Sequence, residues 1–215
     1  MRWRVKEPFN CCSHLLGVVL AIPGLVWLLV QADGEPWRTV GLAIYGTSLI
    51  LLYAASSLYH WAPGTPATED LWQRFDHSAI FFLIAGTYTP VCLVTLRGPW
   101  GWGLLGVMWG CAVAGTIIKL FFRQLPRWLN PVLYLAMSWG GVVAVAPLLR
   151  ALPLSGVSWL LLGGLCYTAG AIIYGVQRPD PYPNALGFHG IFHMLVLAGS
   201  ALHFVFMLRY VAAGA

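Results

Sequence analysis

The chain has 215 residues, of which 59% are hydrophobic and only 9% are charged. So little charge cannot cover the surface of a soluble protein of this length, and the composition therefore excludes a soluble globular domain. The net charge of +5 forms no basic tract and is accompanied by no aromatic platform, so the sequence does not predict nucleic-acid binding.

Apolar stretches follow one another along the whole chain. Each is about 20 residues long, which is the length that crosses the roughly 30 Å hydrocarbon core of a bilayer. Short segments rich in Gly, Pro, Asp and Asn, such as "ADGEPW" and "RPDPYPN", separate them and end the helices. The sequence predicts an all-α integral membrane protein with one seven-helix transmembrane domain over residues 1–215. The helices are expected at 14–31, 39–60, 74–96, 101–122, 129–150, 154–177 and 186–211.

Basic residues are unequally divided between the two ends of these helices. Since Lys and Arg concentrate on the cytoplasmic side of membrane proteins, the richer end predicts a cytoplasmic N-terminus and a C-terminus outside. The first helix is expected to stay in the mature protein and not to be removed as a signal peptide, because no small-x-small cleavage site follows it. The predicted inner side carries Arg2, Arg4, Lys6, Arg74, Lys119, Arg123, Arg127 and Arg178, and the outer side carries Arg38, Arg97, Arg150 and Arg209.

Four ionisable side chains interrupt the apolar helices near the predicted inner boundary. The second helix ends there with His60, and the third begins there with Asp76 expected in its first turn. The seventh helix begins there too, and His189 and His193 lie four residues apart on nearly the same face. Ionisable groups inside a membrane are costly and usually functional, so these four residues predict a single site.

The chemistry of the four residues points to zinc. Two histidines at i and i+4 can reach one ion, and His60 completes a three-imidazole set that leaves the fourth position for water, as in catalytic Zn²⁺ sites. Asp76 is expected to accept a hydrogen bond from the zinc-bound water, to act as general base, or to offset the charge of the ion. Ser56, four residues before His60 on the same helical face, could orient the water or a substrate oxygen.

The remaining polar residues are expected to be structural. His14 and His77 are each predicted to be interfacial side chains that extend toward the lipid headgroups. His203 lies about 15 Å from His193 by helix rise, too far to share an ion, and is expected to hydrogen-bond between helices. The five cysteines are expected to be free buried thiols plus a reducible pair that faces the inner side, because none has CxxC spacing and they are scattered over different helices and depths.

Two pairs of small residues predict close contact between helices. They are Gly106 with Gly110 in the fourth helix and Gly163 with Gly164 in the sixth.

The polar motifs resemble those of a known family. "SSLYH", "FDHSAIFFLIAGTYTP" and "HGIFHMLVLAGSALHF", with "EPFNCCSHLLG" near the start and "GGLCYTAGAIIY" in the sixth helix, are similar to the hemolysin III proteins. These are bacterial relatives of the adiponectin and progestin receptors. The resemblance covers essentially the whole chain, in order and without large insertions.

The resemblance implies seven helices with the N-terminus inside, a bacterial inner membrane, and a zinc site near the inner face. By the family's motifs His60, His189 and His193 would bind the zinc, Asp76 would hold the zinc water, and Ser56 is the serine of the Ser-x-x-x-His motif. Many relatives carry an acidic residue after the first histidine of the last helix. Gly190 stands there in this chain, which leaves the ligands in place but removes any role for that carboxylate.

Several functions are compatible with these residues. The leading hypothesis is a zinc-dependent hydrolase of a lipid amide or ester at the inner face of the membrane, linked to membrane lipid homeostasis or hemolysis. A resemblance to ceramidase-like membrane enzymes also implies this chemistry. The alternative is a receptor or regulator of membrane state in which zinc is structural. A lytic pore or channel is disfavoured because the outer halves of the helices are apolar, and a b-type haem protein because His at i and i+4 suit axial ligation poorly. The substrate, the oligomeric state and any partner protein stay open.

Overall fold

The computed structural model describes residues 5–122, 126, 128–183 and 186–213. Within these ranges seven helices are long and apolar enough to cross a membrane and no strand is present, which confirms the predicted all-α fold. They are Pro8–Gln31 (α1), Pro36–Trp61 (α2), Pro66–Thr95 (α3), Pro99–Phe121 (α4), Leu129–Ala151 (α5), Leu154–Val176 (α6) and Phe188–Ala212 (α7).

Two helices begin well before their predicted starts. α1 begins at Pro8 and α3 at Pro66, where proline suits the first turn because its φ is already helical and its missing N–H needs no partner. Thr65 also caps α3 by accepting a hydrogen bond from the Thr68 amide at 3.3 Å. The prediction that Asp76 lies in the first turn of α3 is therefore wrong, since it lies about three turns from the start.

The helices form a continuous series of neighbours. α2 packs between α1 and α3, α4 packs against α3, α7 packs against α1 and α6, and α5 contacts α6. Further contacts of α5 with α3 and α4 close this series into a ring. α1 and α7 pack directly against each other, and residues near the start of α1 lie close to residues near the start of α7.

α5 is irregular in its middle. The segment Gly140–Ala144 winds as a 3₁₀-helix, which leaves backbone groups without their usual α-helical partners. Tyr88 of α3 compensates, because its hydroxyl accepts a hydrogen bond from the Gly141 amide at 2.9 Å and donates one to the Ser138 carbonyl. The interruption thus occurs where α5 faces α3.

The predicted glycine contacts are confirmed at one position only. A Cβ at Gly163 would lie 2.3 Å from the Cδ2 atom of His203, so this glycine permits close approach of α6 and α7. Side chains added at Gly106, Gly110 or Gly164 would meet nothing within 4 Å among the described residues. Those three positions were predicted wrongly, because spacing alone does not reveal which helix face meets a neighbour.

The predicted orientation rests partly on basic residues outside the described ranges, namely Arg2, Arg4, Arg123 and Arg127. It stays a prediction.

All five cysteines are free thiols, of which Cys11 and Cys92 are buried and Cys12 and Cys111 are exposed.

Candidate metal centre

Three of the predicted site residues form a compact cluster. His60, His189 and His193 each present one nitrogen, and these ligand atoms all lie within 4.8 Å of one another. The ring centroids are 4.8–4.9 Å apart in all three pairs. His60 and His193 are buried, and His189 is partly exposed. The cluster could hold a metal ion, since three converging imidazoles are a common ligand set for divalent transition metals.

The secondary structure explains why these three side chains meet. His60 lies in the last turn of α2, which ends at Trp61 before Pro63 and Gly64. α7 begins at Phe188, so His189 lies in its first turn and His193 one turn further along. The end of α2 and the start of α7 therefore lie at the same end of the bundle, which we call the site end.

One ring nitrogen of His193, Nδ1, is held by α1. Its Nδ1 lies 3.2 Å from the Asn10 carbonyl oxygen and 3.2 Å from Ser13 Oγ. The Ser13 hydroxyl itself donates to the Asn10 carbonyl at 2.9 Å, which leaves its oxygen free to accept. Because a carbonyl oxygen can only accept, Nδ1 of His193 carries the proton and Nε2 carries the lone pair that a metal requires.

His60 has a carboxylate beside it. Its Nδ1 lies 2.8 Å from Glu7 Oε2, an oxygen that also accepts a hydrogen bond from the Asn10 side-chain amide at 2.6 Å. The contact with His60, which has the largest effect, and the contact with Asn10 lower the pKa of Glu7 to about 2. The carboxyl is therefore ionised at neutral pH. Both ring nitrogens of His60 are buried, and neither makes a hydrogen bond of regular geometry among the described residues. Nδ1 has the close contact with Glu7, whereas Nε2 has no partner in the described part of the chain. An unpartnered buried nitrogen is costly in an apolar setting, and metal coordination would satisfy it.

The other two predicted site residues lie next to this cluster. Asp76 and Ser56 are 6% and 1% exposed, and both line the same cavity as His189. Asp76 is close enough to interact electrostatically with His60, and Ser56 lies beside its carboxylate. A buried carboxylate at this place could accept a proton from water held at the cluster.

The remaining histidines differ from one another. His14 and His77 were expected at the membrane interface, but they are only 2% and 8% exposed and both line the cavity. His14 stacks on His193, and His77 lies 3.5 Å from the Tyr174 hydroxyl through its Nε2. The expectation for His203 is confirmed, since its Nε2 lies 3.1 Å from the Leu160 carbonyl oxygen on the neighbouring helix.

A cavity of about 270 Å³ extends from the cluster along the inside of the bundle. It begins at Asp76 and His189 and reaches Leu96 at the end of α3 and Val157 in α6. The distance from Asp76 to Leu96 along a helix is about 30 Å, roughly the thickness of the hydrocarbon core. Beyond the polar residues at the site end, aliphatic and aromatic side chains dominate its walls.

Gly190 explains how α1 reaches the cluster. A Cβ at this position would lie 2.9 Å from a ring carbon of Phe9, so its absence lets the first turns of α1 and α7 pack closely. The position between the two histidines of α7 thus serves helix contact in this chain.

The comparisons with known proteins agree with this architecture. A sequence profile of the family described as Haemolysin-III related matches residues 2–204. Hemolysin-3 of Bacillus cereus is 42% identical over 210 residues, covering 96% of this chain and 93% of that protein. The hemolysin-3 homolog of Bacillus subtilis (strain 168) is 40% identical over 207 residues, covering 95% and 94%. The human monocyte to macrophage differentiation factor is 26% identical over 205 residues, covering 94% and 82%. The chain is a multi-pass membrane protein that belongs to the haemolysin-III-related family.

Proposed function

We propose that this protein is a zinc-dependent hydrolase that cleaves an amide or ester of a membrane lipid at the site end. The observation that carries the proposal is the continuity between the three-histidine cluster and a long apolar cavity. Such a cavity suits an acyl chain, because each methylene transferred from water is stabilised by about 0.8 kcal/mol. A lipid seated there would place its polar linkage beside Asp76 and Ser56.

The donor set favours zinc over harder cations. Mg²⁺ and Ca²⁺ prefer oxygen ligands, whereas three imidazoles with an open fourth position are typical of catalytic Zn²⁺. A bound Zn²⁺ would polarise the scissile carbonyl and acidify water.

The chain's own residues supply the other steps. Asp76 would take the proton from the attacking water and pass it to the departing amine or alcohol, which is the work of a general base and then a general acid. The Ser56 hydroxyl would donate a hydrogen bond to the developing oxyanion. The apolar walls of the cavity would hold the acyl chain and keep bulk water from the linkage.

The first test is the metal content of the detergent-purified protein, measured by elemental analysis beside a His189→Ala/His193→Ala double variant. We expect about one zinc per chain in the wild type and none in the double variant. Wild-type protein without metal, purified from zinc-supplemented cells, would remove the basis of the enzyme proposal.

The second test separates metal binding from turnover. We expect Asp76→Asn to retain zinc and to lose hydrolysis of long-chain amides or esters by about 10²–10⁴-fold, the usual contribution of a general base. Glu69→Gln is a suitable control, because this carboxylate lies at the same end of the bundle but pairs with Lys6. Full turnover by Asp76→Asn would exclude Asp76 from the mechanism.

A second candidate function is a receptor or regulator of membrane state with a structural metal. It is favoured by the origin of the ligands, since His60 belongs to α2 and His189 and His193 to α7, so that one ion would join two distant parts of the chain. In that case a chelator should lower the thermal unfolding midpoint sharply, because metal bound only to the folded state stabilises it. An unchanged midpoint together with lost turnover supports the hydrolase instead.

We further propose that the protein resides in the plasma membrane of a bacterium with the site end facing the cytoplasm. Support comes from the excess of basic residues at that end and from the bacterial source of the two most similar relatives described above.

A further inference from the structure

The residues at the start of α1 contact His60 and His193, two of the three clustered histidines, although α1 contributes none of the three. We infer that Glu7 and the backbone carbonyl of Asn10 are positioning groups, which keep the protons of His60 and His193 on Nδ1 and so reserve both Nε2 atoms for the metal. This inference rests on the metal site of the proposed function.

The proton arrangement follows from the chemistry of the partners. A neutral imidazole carries one proton, and the nitrogen without it supplies the lone pair that binds a metal. An ionised carboxylate and a carbonyl oxygen can only accept. The His193 nitrogen that faces the Asn10 carbonyl at 3.2 Å therefore carries a proton. Glu7 Oε2 already accepts a hydrogen bond from the Asn10 side-chain amide, so its 2.8 Å contact with His60 favours the His60 proton on Nδ1, although that contact is too bent for a regular hydrogen bond.

Glu7 is held in place by groups other than His60. The Asn10 side-chain amide donates to the same carboxylate oxygen at 2.6 Å, and the Glu7 amide donates to the His60 carbonyl at 3.0 Å. The carboxylate is thus fixed before any metal arrives, and its position is coupled to the end of α2. Such a fixed partner limits rotation of the His60 ring and reduces the ordering required when an ion binds.

Glu69 offers a matched comparison. Its side chain is 40% exposed and that of Glu7 is 38% exposed, so the two carboxylates have similar access to water. Glu69 lies 3.3 Å from Lys6, whereas Glu7 lies against the cluster. A general effect of negative charge at this end of the bundle should be shared by both residues, but a positioning effect belongs to Glu7 alone.

The experiment is a competition for Zn²⁺ between a chromophoric chelator and detergent-purified wild type, Glu7→Ala, Glu7→Gln or Glu69→Ala. We expect about 10–100-fold weaker affinity in Glu7→Ala, the usual cost of removing an outer partner of a metal ligand. The affinity of Glu7→Gln should lie between those of wild type and Glu7→Ala, because its amide oxygen can still accept a hydrogen bond. The affinity of Glu69→Ala should match that of wild type. The absorption spectrum of the Co²⁺-substituted protein should change in Glu7→Ala and stay constant in Glu69→Ala.

The outcomes distinguish this inference from the proposed function. Equal affinity and equal spectra in wild type and Glu7→Ala overturn the positioning role and leave the metal site intact. Equal losses in Glu7→Ala and Glu69→Ala also overturn it, because they indicate a general charge effect. A wild-type protein that binds neither metal overturns the proposed metal site itself.

Discussion

The imidazole rings of His14 and His193 stack face to face, with centroids 3.6 Å apart and ring planes only 9° from parallel. Both nitrogens of His14 are buried and have no hydrogen-bond partner among the described residues. His14 therefore acts on its neighbour through the flat surface of its ring. The stack limits the movement of His193, which is also held by Asn10 and Ser13.

The first prediction concerns this stack. His14→Ala should weaken zinc binding about tenfold or more, because His193 loses the ring that holds its plane. His14→Phe keeps a flat ring without nitrogens and should bind zinc nearly as well as wild type. Chelator competition on both variants measures the effect. If His14→Phe weakens zinc binding as much as His14→Ala does, a nitrogen of His14 has a role that ring packing does not explain.

The second prediction concerns the cavity. Ala171 is buried and lines it, whereas the next residue, Ile172, is 52% exposed on the outside of α6. Ala171→Phe should displace part of a bound acyl chain. Losing two buried methylenes at about 0.8 kcal/mol each weakens binding about tenfold. Ile172→Phe should have no effect. Displacement of a fluorescent long-chain acyl probe gives the affinities, and equal binding by both variants would argue against acyl binding in this cavity.

The third prediction concerns the contact between α6 and α7. A Cβ at Gly163 would lie 2.4 Å from His203 Nε2, the atom that contacts the Leu160 carbonyl. Gly163→Ala should therefore destabilise the protein by about 1–3 kcal/mol, as overpacking usually does. Gly164→Ala should leave the thermal midpoint unchanged or slightly higher, because the added methyl has open space and alanine favours helix. Thermal unfolding in detergent compares the pair, and equal midpoints would contradict the assigned packing.

The fourth prediction concerns orientation. Alkaline phosphatase fused after the last residue should be active in bacterial cells, because the C-terminus is predicted to face outward and the enzyme folds only there. A fusion in the loop between α2 and α3, at the site end, should be inactive. The reverse pattern would place the three-histidine cluster on the outer side.

Much of the fold and part of the site could be predicted from the sequence. Seven apolar runs separated by Pro- and Gly-rich segments fix the number of helices, because backbone polar groups in a bilayer leave few alternatives. Alternation of helix direction then places His60, His189 and His193 at one end, and the i, i+4 spacing of the last two gives them a common face.

The contribution of α1 was missed for an identifiable reason. Glu7, Asn10 and His14 are spaced by three and four residues, which is the signature of one helical face. The spacing carries that signal, but a predicted helix start at residue 14 leaves Glu7 and Asn10 outside the helix. Proline at the first helical position, as at Pro8, was the clue to the earlier start.

The cavity was not predictable in the same way. In a membrane protein, apolar side chains that face lipid and those that line an internal cavity have the same hydropathy. Ala171 and Ile172 illustrate this, since their neighbouring positions give no hint of which one faces inward. The 3₁₀ segment of α5 is equally hidden, because its support comes from Tyr88, about 50 residues away.

The ligands' distribution along the chain sets an order for assembly. α1 and α2 are synthesised before α7, so Glu7 and His60 enter the membrane before His189 and His193. A chain without α7 holds only one of the three clustered histidines, His60 beside Glu7, and cannot form the cluster. Metal binding would therefore follow the insertion of α7. A chain that lacks α7, through proteolysis or a premature stop codon, would have no three-histidine cluster to bind a metal.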